Sequence, residues 1–295
     1  MKVTIIGLGL IGGSIGLRMK NSGLATAVIG IDKNAENSQK AIELGLVDEV
    51  QSLSEGINAA DVVIVAIPVD QTIVILPQLL DSIRPDAVVL DMGSTKGELC
   101  KSIEGHINRK SFVATHPIAG TENSGPEAAF DTLFQNKTGI LCDVEKSSKA
   151  AVELAREVYT ELGMRIIEMD SQSHDLHIAY VSHLSHISSF VLGQTVLEIE
   201  KDEKSIFNMA GSGFASTVRL AKSSPNMWSP IFAQNKKHIS KSLSTYIENL
   251  QKFKALIDDE NVEGMNEVMK NANQIRKVLD GIDIQSLNNQ PQDEK

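Results

Sequence analysis

The sequence has few cysteines and no cluster of basic residues. Its 295 residues include only two cysteines, Cys100 and Cys142, which lie far apart and outside any CxxC spacing. This spacing excludes a disulfide framework and a cysteine zinc site, and it indicates a reducing compartment. The chain carries 28 Lys and Arg against 38 Asp and Glu, for a formal net charge of −10. Because an acidic surface repels phosphate backbones, we expect no nucleic-acid partner.

Long uninterrupted apolar runs are also missing. Too few apolar residues precede the glycine-rich stretch at Gly7 to form the core of a signal peptide. The most apolar later stretch, Ile178 to Leu197, contains several polar residues and is predicted to be a buried helix, not a membrane span. We therefore expect a cytoplasmic protein with no membrane partner.

The first half of the chain alternates short β-branched runs with amphipathic stretches of helical periodicity. The predicted strands are Val3 to Ile6, Ala27 to Ile31, Val62 to Ala66, Val88 to Asp91, Phe112 to Thr115 and Gly139 to Cys142, with a further one at Arg165 to Met169. Such alternation is typical of parallel strands joined by right-handed helical crossovers. It predicts an α/β fold with a Rossmann-type, mostly parallel sheet.

The pattern changes near residue 168. Beyond Asp170 the sequence predicts long helices and no strand. We therefore expect the sheet domain over residues 1–168, an all-helical domain over 169–284 and a disordered tail over 285–295. Helices in a domain of this size cannot all bury their apolar faces, which favours a homodimer formed through the helical domain.

A glycine motif, GLGLIG at residues 7–12, follows the first predicted strand and opens the first predicted helix. Gly7 permits the tight turn, Gly9 lets the backbone approach a pyrophosphate, and Gly12 lets the helix pack close to the strand. Together with Leu10 and Ile11, they place the free amides of the helix N-terminus against the phosphates. The motif therefore predicts a dinucleotide site.

Asp32 ends the second predicted strand, about twenty residues beyond the motif, where a carboxylate would bind both ribose hydroxyls of NAD. A 2′-phosphate would be repelled by Asp32, so NAD is favoured over NADP, although the neighbouring Lys33 leaves NADP open. Pro68 follows another strand and is predicted to line the same edge of the sheet. The alternative is an unrelated glycine turn with a strand-end aspartate that caps a helix.

Two further polar residues follow predicted strands and should share this edge. His116 could take a proton near neutral pH, and Ser94 would bring a hydroxyl to the same edge. The structural alternatives are a packed histidine and a helix cap by Ser94 or Thr95.

The predicted helix that begins near Asp175 carries a polar stripe. At about 100° per residue, Asp175, Ser182 and His186 share one face, and His183 lies well off it. Among apolar neighbours such a stripe is costly unless it lines a wet cavity or is fully hydrogen-bonded. Both interpretations remain open.

Further along the chain, Arg219 and Trp228 have side chains suited to a binding site. Arg219 could bind a substrate carboxylate bidentately, with a surface ion pair as the alternative. Trp228, the only tryptophan, could be a packing anchor.

These residues resemble the prephenate and arogenate dehydrogenases. The segments that carry the resemblance lie in order along almost the whole chain: Gly7 to Ser14, Gly93 to Gly97, HPIAGTE at 116–122, His174-Asp175, SHLSH at 182–186, and Arg219 through Trp228. HPIAGTE and SHLSH are far more specific than the glycine motif. The resemblance implies an NAD-dependent enzyme of tyrosine biosynthesis that converts prephenate to 4-hydroxyphenylpyruvate by oxidative decarboxylation.

The resemblance also assigns roles to the residues nearest the reaction. His116 would accept the proton of the ring 4-hydroxyl, and Ser94 would help to hold that hydroxyl. Arg219 would bind the ring carboxylate. The chemistry requires no metal.

Five other residues would surround the substrate in the resembled family. His186 and Ser182 would line the pocket, and Glu122 and Asp175 would belong to its polar network. Trp228 would reach the site of the neighbouring subunit. His186 favours prephenate, because arogenate-specific members often lack this histidine.

Three alternatives stay open at this point. The enzyme could be an arogenate, or cyclohexadienyl, dehydrogenase that gives tyrosine directly. A 3-hydroxyacid-type dehydrogenase would need a catalytic lysine on the first long helix of the second domain, and the stretch Asp175 to Glu200 contains none. A non-catalytic NAD-binding sensor would need only the cofactor motif.

Overall fold

A computed structural model describes residues 1–201 and 205–287, with side chains up to residue 281. One eight-stranded sheet has the order β3-β2-β1-β4-β5-β6-β7-β8. Its strands are β1 (Lys2–Ile6), β2 (Ala27–Ile31), β3 (Glu49–Val50), β4 (Val62–Val65), β5 (Val88–Asp91), β6 (Phe112–Ile118), β7 (Thr138–Cys142) and β8 (Arg165–Met169). Every neighbouring pair is parallel except β6 and β7. The predicted mostly parallel Rossmann-type sheet is confirmed.

Helices connect the strands and then continue alone. Between the strands lie α1 (Leu10–Asn21), α2 (Ala35–Glu43), α3 (Leu53–Ala59), α4 (Val69–Ser82), α5 (Gly97–Ser102) and α6 (Lys149–Glu161). After β8 come α7 (Ser171–Ile178), α8 (Leu184–Glu200), α9 (Ser212–Val218), α10 (Pro225–Gln234), α11 (Lys236–Asp258), α12 (Val262–Ala272) and α13 (Arg276–Leu287). The prediction of helices alone beyond Asp170 agrees with this order in the described ranges.

The sheet buries apolar residues on both faces, as a parallel sheet with helices on each side must. In β4, Val62 and Ile64 belong to one buried cluster, whereas Val63 and Val65 belong to the other. This alternation is the two-residue period of a strand, with both faces apolar. The continuous β-branched run of β4 therefore identifies an interior strand.

Strand β6 is longer than the sequence predicts. The predicted strand ends at Thr115, but β6 continues to Ile118, because its second half pairs antiparallel with β7, His116 opposite Ile140. Strand β5 pairs only with the first half, up to Ala114. His116 therefore lies in a strand that extends beyond its parallel neighbour, not in a loop.

Another difference is a short strand and helix, β3 and α3, that the sequence analysis does not predict. Strand β3 has only two residues, too few for a periodic pattern. Helix α3 begins with a capping box, in which the Ser52 hydroxyl accepts from the Glu55 amide and the Glu55 carboxylate accepts from the Ser52 amide.

Helices α7 and α8 are joined by a π-helical turn, Ala179–His183, so the predicted long helix is continuous but not regular. Such turns widen the helix by one residue and often occur at functional sites. By internal contacts the chain forms two compact units, Met1–Ile239 and a second from Ser240 onward. The predicted boundary at residue 168 lies inside the first unit and stays a prediction.

Two further expectations concern the predicted disordered tail and the absence of a membrane span. Of the predicted tail, residues 285–287 continue α13, and residues 288–295 lie outside the described residues. None of the helices in the described ranges is long and apolar enough to cross a bilayer.

Candidate active site

The turn between β1 and α1 has the geometry that the glycine motif predicts. Gly7 has φ +95°, and its amide donates to the carbonyl of Ile31 at 2.8 Å. A Cβ on Gly12 would lie 1.9 Å from the Gly7 carbonyl oxygen, so only glycine allows α1 to pack this closely. A Cβ on Gly9 would meet nothing within 4 Å. The turn is thus tight on its inner side and open above Gly9.

The side chain of Asp32 is fixed at the end of β2. Its Oδ2 accepts the amide of Leu8 at 2.8 Å, and its Oδ1 accepts the amide of Asn34 at the same distance. A carboxylate offers about four lone-pair sites, so both oxygens keep acceptor capacity for ribose hydroxyls.

A cavity of about 580 Å³ lies along this turn, lined by Gly7, Gly9, Asp32, Lys33 and Pro68 among others. The open space at Gly9 and the fixed carboxylate of Asp32 fit the pyrophosphate and ribose of NAD. Gly12 does not line the cavity, and it contributes by letting α1 pack against the turn at Gly7.

The other two predicted cofactor residues, Leu10 and Ile11, start helix α1. Leu10 is 7% exposed and belongs to the core, and Ile11 is half-buried and packs against it. Neither lines the cavity. Their predicted contribution is the backbone of the first helical turn, and it stays a prediction.

A buried ion pair supports the segment between β5 and α5. Lys96 Nζ contacts Asp91 Oδ2, and both side chains are fully buried. Asp91 Oδ1 also accepts the amide of Thr115 at 3.1 Å. The pair therefore fixes the residue that immediately precedes His116.

The alternative of a helix cap by Ser94 or Thr95 is wrong. Lys96 occupies the N-cap position of α5 without a side-chain cap. Instead, the amides of Lys96 and Gly97 donate to the two oxygens of Asp175, each at 2.8 Å. Thr95 Oγ1 donates to Oε1 of Gln234 at 2.6 Å, and Ser94, which immediately precedes these residues, is half-buried. The carboxylate of Asp175, on α7, thus caps α5, although the two helices are far apart in the sequence.

His116 is the centre of a chain of buried polar groups. Its Nδ1 lies 2.9 Å from Nε2 of His174, and Nδ1 of His174 lies 2.8 Å from Oδ1 of Asp175. Burial lowers the pKa of His116 well below 6.5, and the neighbouring His174 and Lys96 lower it further. His116 is therefore a neutral imidazole at neutral pH.

The two partners of His116 have shifted pKa values as well. Burial lowers the pKa of His174 below 6.5, although the bond to Asp175 opposes the shift. Burial alone would raise the pKa of Asp175, but hydrogen bonds from His174 and from two backbone amides lower it. Asp175 is therefore a carboxylate, and His174 is neutral.

The π turn changes the predicted polar stripe. His183 is fully buried, and its Nδ1 lies 3.2 Å from Nδ2 of Asn235, which also donates to the carbonyl of Asp175 at 2.7 Å. The predicted stripe assumes about 100° of rotation per residue, and the π turn rotates the chain by less than that per residue, so the relative placement of Asp175, Ser182, His183 and His186 stays a prediction. Burial lowers the pKa of His183 to about 4.

His186 and Trp228 form a stack one turn further along, with ring centroids 3.5 Å apart. The Nδ1 of His186 donates to the carbonyl of Ser182 at 3.0 Å. Trp228 is only 7% exposed and packs with Val69 at the start of α4, so it is a packing anchor in its own subunit. Its predicted reach into the neighbouring subunit's site stays a prediction.

Arg219 forms an ion pair with Glu122, with Nη1 and Oε2 2.9 Å apart. The Arg219 side chain is 51% exposed, and its charge contributes to the lowered pKa of His186, which burial lowers most. Arg219 and Glu122 are thus placed together beside His186.

The contacts group the predicted residues into four sets: the cofactor turn, His116 with Asp175 through His174, His186 with Ser182 and Trp228, and Arg219 with Glu122. The structure also adds four residues that the sequence does not single out as site residues. These residues are Asp91, Lys96, His174 and Asn235. His174 adjoins Asp175 in the sequence, and Asp91 ends a strand, so both had a local signal. Lys96 lies in the Gly93 to Gly97 segment of the family resemblance, but its burial had no signal. Asn235 had none, because a helix-end asparagine looks like a surface residue in a sequence.

A cavity at the glycine turn and a buried neutral histidine at the same edge of the sheet are the features that a nicotinamide-dependent dehydrogenase needs. Two family models match the chain: the nucleotide-binding domain of prephenate dehydrogenase over residues 15–168, and its dimerization domain over residues 170–271. The chain belongs to the prephenate dehydrogenase family. It is an NAD-dependent oxidoreductase, and the family places it in tyrosine biosynthesis.

Individual relatives agree with this membership. A prephenate dehydrogenase of Bacillus subtilis is 34% identical over 95% of this chain and 76% of its own length. A cyclohexadienyl dehydrogenase of Zymomonas mobilis is 29% identical over 94% of this chain and 95% of its own. The crystal structure of Aquifex aeolicus prephenate dehydrogenase with hydroxyphenyl propionate and NAD⁺ has a TM-score of 0.87 at 34% identity, covering 95% of this chain and 98% of that one. The predicted family and the predicted cofactor are confirmed.

Proposed function

We propose that the protein converts prephenate to 4-hydroxyphenylpyruvate by NAD-dependent oxidative decarboxylation. The observation that carries this proposal is the placement of His116, a buried neutral imidazole at the sheet edge that also carries the dinucleotide cavity. A neutral imidazole can act as a general base without first losing a proton. Ser94, next to the Thr95 and Lys96 contacts, is the hydroxyl that helps to hold the substrate.

The proposed reaction begins at the ring carbinol. His116 takes the proton of the 4-hydroxyl. NAD, held by the turn at Gly9 and the carboxylate of Asp32, would supply the acceptor for the hydride of the carbon that bears this hydroxyl. The ring becomes a dienone, and its carboxylate then leaves as CO₂. The electron pair of the broken bond restores an aromatic ring as a phenolate, which takes back the proton from His116 and becomes the phenol of 4-hydroxyphenylpyruvate. The gain of aromaticity makes the overall step downhill. The chain must therefore orient the hydroxyl and both carboxylates of the substrate.

Arg219 is the proposed ligand of the ring carboxylate. In the structure its guanidinium pairs with Glu122 through Nη1, which is the surface ion pair named as the alternative, and the proposal is that the ring carboxylate takes the place of Glu122. His186 and Ser182 would line the pocket, and the stack on Trp228 fixes the plane of the His186 ring. Asp175 and Glu122 support the site through His174 and Arg219 respectively.

The proposal also names prephenate, and not arogenate, as the substrate. The relatives include prephenate and cyclohexadienyl dehydrogenases and, at 26% identity and a TM-score of 0.75, the crystal structure of Synechocystis arogenate dehydrogenase. His186 favours prephenate for the reason given by the family resemblance. Arogenate is the second candidate.

We also propose a homodimer formed by the helical part of the chain. The second matching family model is a dimerization domain, and several helices expose large apolar side chains. In the first unit these include Val181, Val191, Leu197 and Ile199, and in the second they include Ile247, Leu250, Ile257 and Leu279. Light scattering should give twice the mass of the 32.0 kDa chain. The expected cytoplasmic location stays a prediction.

The test is an assay of prephenate and arogenate side by side, each with NAD and with NADP. We expect reduced NAD and 4-hydroxyphenylpyruvate from prephenate, and a lower kcat/KM with arogenate and with NADP. A higher kcat/KM with arogenate would reverse the substrate assignment. No turnover of either substrate would overturn the proposed function.

A further inference from the structure

A chain of hydrogen bonds joins His116, His174 and Asp175. It occupies one ring nitrogen of His116, Nδ1, and leaves Nε2 for another partner. Nδ1 of His116 faces Nε2 of His174 at 2.9 Å, and Nδ1 of His174 faces Oδ1 of Asp175 at 2.8 Å. His174 is 1% exposed, and Asp175 is 4% exposed. Bulk water therefore does not compete for these bonds, and each proton has a defined place.

The direction of the chain is set at the carboxylate. Both oxygens of Asp175 already accept backbone amides, from Lys96 and Gly97, so Asp175 can only accept. Nδ1 of His174 must therefore carry a proton, and Nε2 of a neutral His174 must be an acceptor. It follows that Nδ1 of His116 carries a proton and that the lone pair of His116 is on Nε2.

We propose that His174 and Asp175 are positioning residues that hold His116 in the one tautomer able to act as a base. This inference rests on the proposed function, because it needs His116 as the proton acceptor. A free neutral imidazole favours the opposite tautomer, with the proton on Nε2. That form would present a donor to the substrate hydroxyl where an acceptor is required.

The charges around the two imidazoles support the same role. Lys96, before α5, pairs with Asp91 at the end of β5, so their formal charges cancel. His183, in the π turn, is neutral, because its pKa is about 4. Asp175 is then the uncompensated charge that faces the chain. When Nε2 of His116 accepts the substrate proton, the new positive charge is balanced by Asp175 through His174.

The sequence explains how this arrangement is assembled. His174 and Asp175 are consecutive residues on α7, so one reaches His116 while the other caps α5 through two amides. The cap fixes the position of Asp175, and Asp175 fixes the ring of His174. A substitution at Asp175 therefore disturbs both α5 and the histidine chain, whereas a substitution at His174 disturbs the chain alone.

The experiment compares His174→Gln and His174→Phe in the full-length protein, with His177→Gln as control, because His177 lies on the same helix but is exposed. The glutamine carbonyl can still accept from Nδ1 of His116, and the phenyl ring cannot. We expect His174→Phe to lower kcat for prephenate by about 10²-fold or more, with KM changed far less. We expect His174→Gln to retain at least about a tenth of wild-type kcat, and His177→Gln to match the wild type.

A second readout is independent of turnover. Two-bond ¹H–¹⁵N NMR of histidine-labelled protein distinguishes the two tautomers. We expect the His116 proton on Nδ1 in the wild type and in His174→Gln, and a shift toward Nε2 in His174→Phe. A wild-type proton on Nε2, or equal kcat values in His174→Phe and the wild type, would overturn the inference.

The outcomes also separate this inference from the proposed function. If His116→Asn abolishes turnover while His174→Phe is fully active, His116 remains the base and only the positioning role is lost. If His116→Asn is as active as the wild type, His116 is not the base, and both the proposed mechanism and the positioning role are overturned. The NMR measurement on the wild type needs no variant, so poor folding of His174→Phe does not prevent the test.

Discussion

Arg219 and Glu122 lie 97 residues apart in the sequence, yet Nη1 of the arginine is 2.9 Å from Oε2 of the glutamate. Glu122 belongs to the HPIAGTE segment that begins with His116. The ion pair therefore connects the segment that carries the proposed base to the helix region that carries the proposed carboxylate ligand. A substrate carboxylate that binds Arg219 would compete with Glu122.

Replacing Arg219 should affect substrate binding most. For Arg219→Ala we expect the KM for prephenate to rise about thirtyfold, which corresponds to about 2 kcal/mol of lost binding, because the ring carboxylate loses its partner. Steady-state kinetics would check this. Arg156→Ala is the matched control, because Arg156 is also a half-exposed arginine in ion pairs but lies on α6. An unchanged KM in Arg219→Ala would contradict the assigned role.

Neutralising Asp32 should weaken the preference for NAD. In Asp32→Asn the side chain can still accept the Leu8 amide, but it no longer repels a 2′-phosphate, and Lys33 lies next to it. We expect the ratio of kcat/KM with NADP to that with NAD to rise about tenfold, the effect of about 1.4 kcal/mol. If the ratio stays at the wild-type value, the Asp32 charge does not select the cofactor.

Gly9 and Gly12 should separate cofactor binding from folding. Gly12→Ala would place a Cβ 1.9 Å from the Gly7 carbonyl, so we expect the free energy of unfolding to fall by about 1–3 kcal/mol in urea denaturation. Gly9→Ala has open space, so its stability should stay within about 0.5 kcal/mol of wild type. Its dissociation constant for NAD should rise about tenfold, because the methyl group lies where the pyrophosphate approaches. Tight NAD binding by Gly9→Ala would place the pyrophosphate elsewhere.

The pH profile should report the lowered pKa of His116. A base works in its deprotonated form, and burial keeps His116 deprotonated to well below pH 6.5. We therefore expect kcat/KM for prephenate to stay level from neutral pH down through 6.5 and to fall only at lower pH. An acidic limb with its midpoint at or above 6.5 would mean that His116 is not neutral in the free enzyme.

The sequence predicts the cofactor half of the site well because that half is local. The first strand, the glycine turn, the helix and Asp32 follow one another within a short stretch, and each has a distinct residue type. The structure reproduces this order, with Gly7 at positive φ and Asp32 bound to the Leu8 amide. The fold class and the family follow from the same kind of pattern.

The catalytic half depends on contacts between distant parts of the chain. The extension of β6 through His116 requires pairing with β7, which no local pattern encodes. Asn235 links His183 to the carbonyl of Asp175 across the π turn, and a regular helical period cannot anticipate the extra residue of that turn. The cap of α5 comes from Asp175, far along the sequence, so a pattern that looks for a local cap finds only Ser94 and Thr95, neither of which caps the helix.

The kcat of His116→Asn with prephenate and NAD tests the central claim most directly, because asparagine keeps a polar side chain but cannot act as the base. We predict that kcat falls by about 10²–10⁴-fold while the KM for prephenate changes little. A His116→Asn enzyme with the kcat of the wild type would contradict the account.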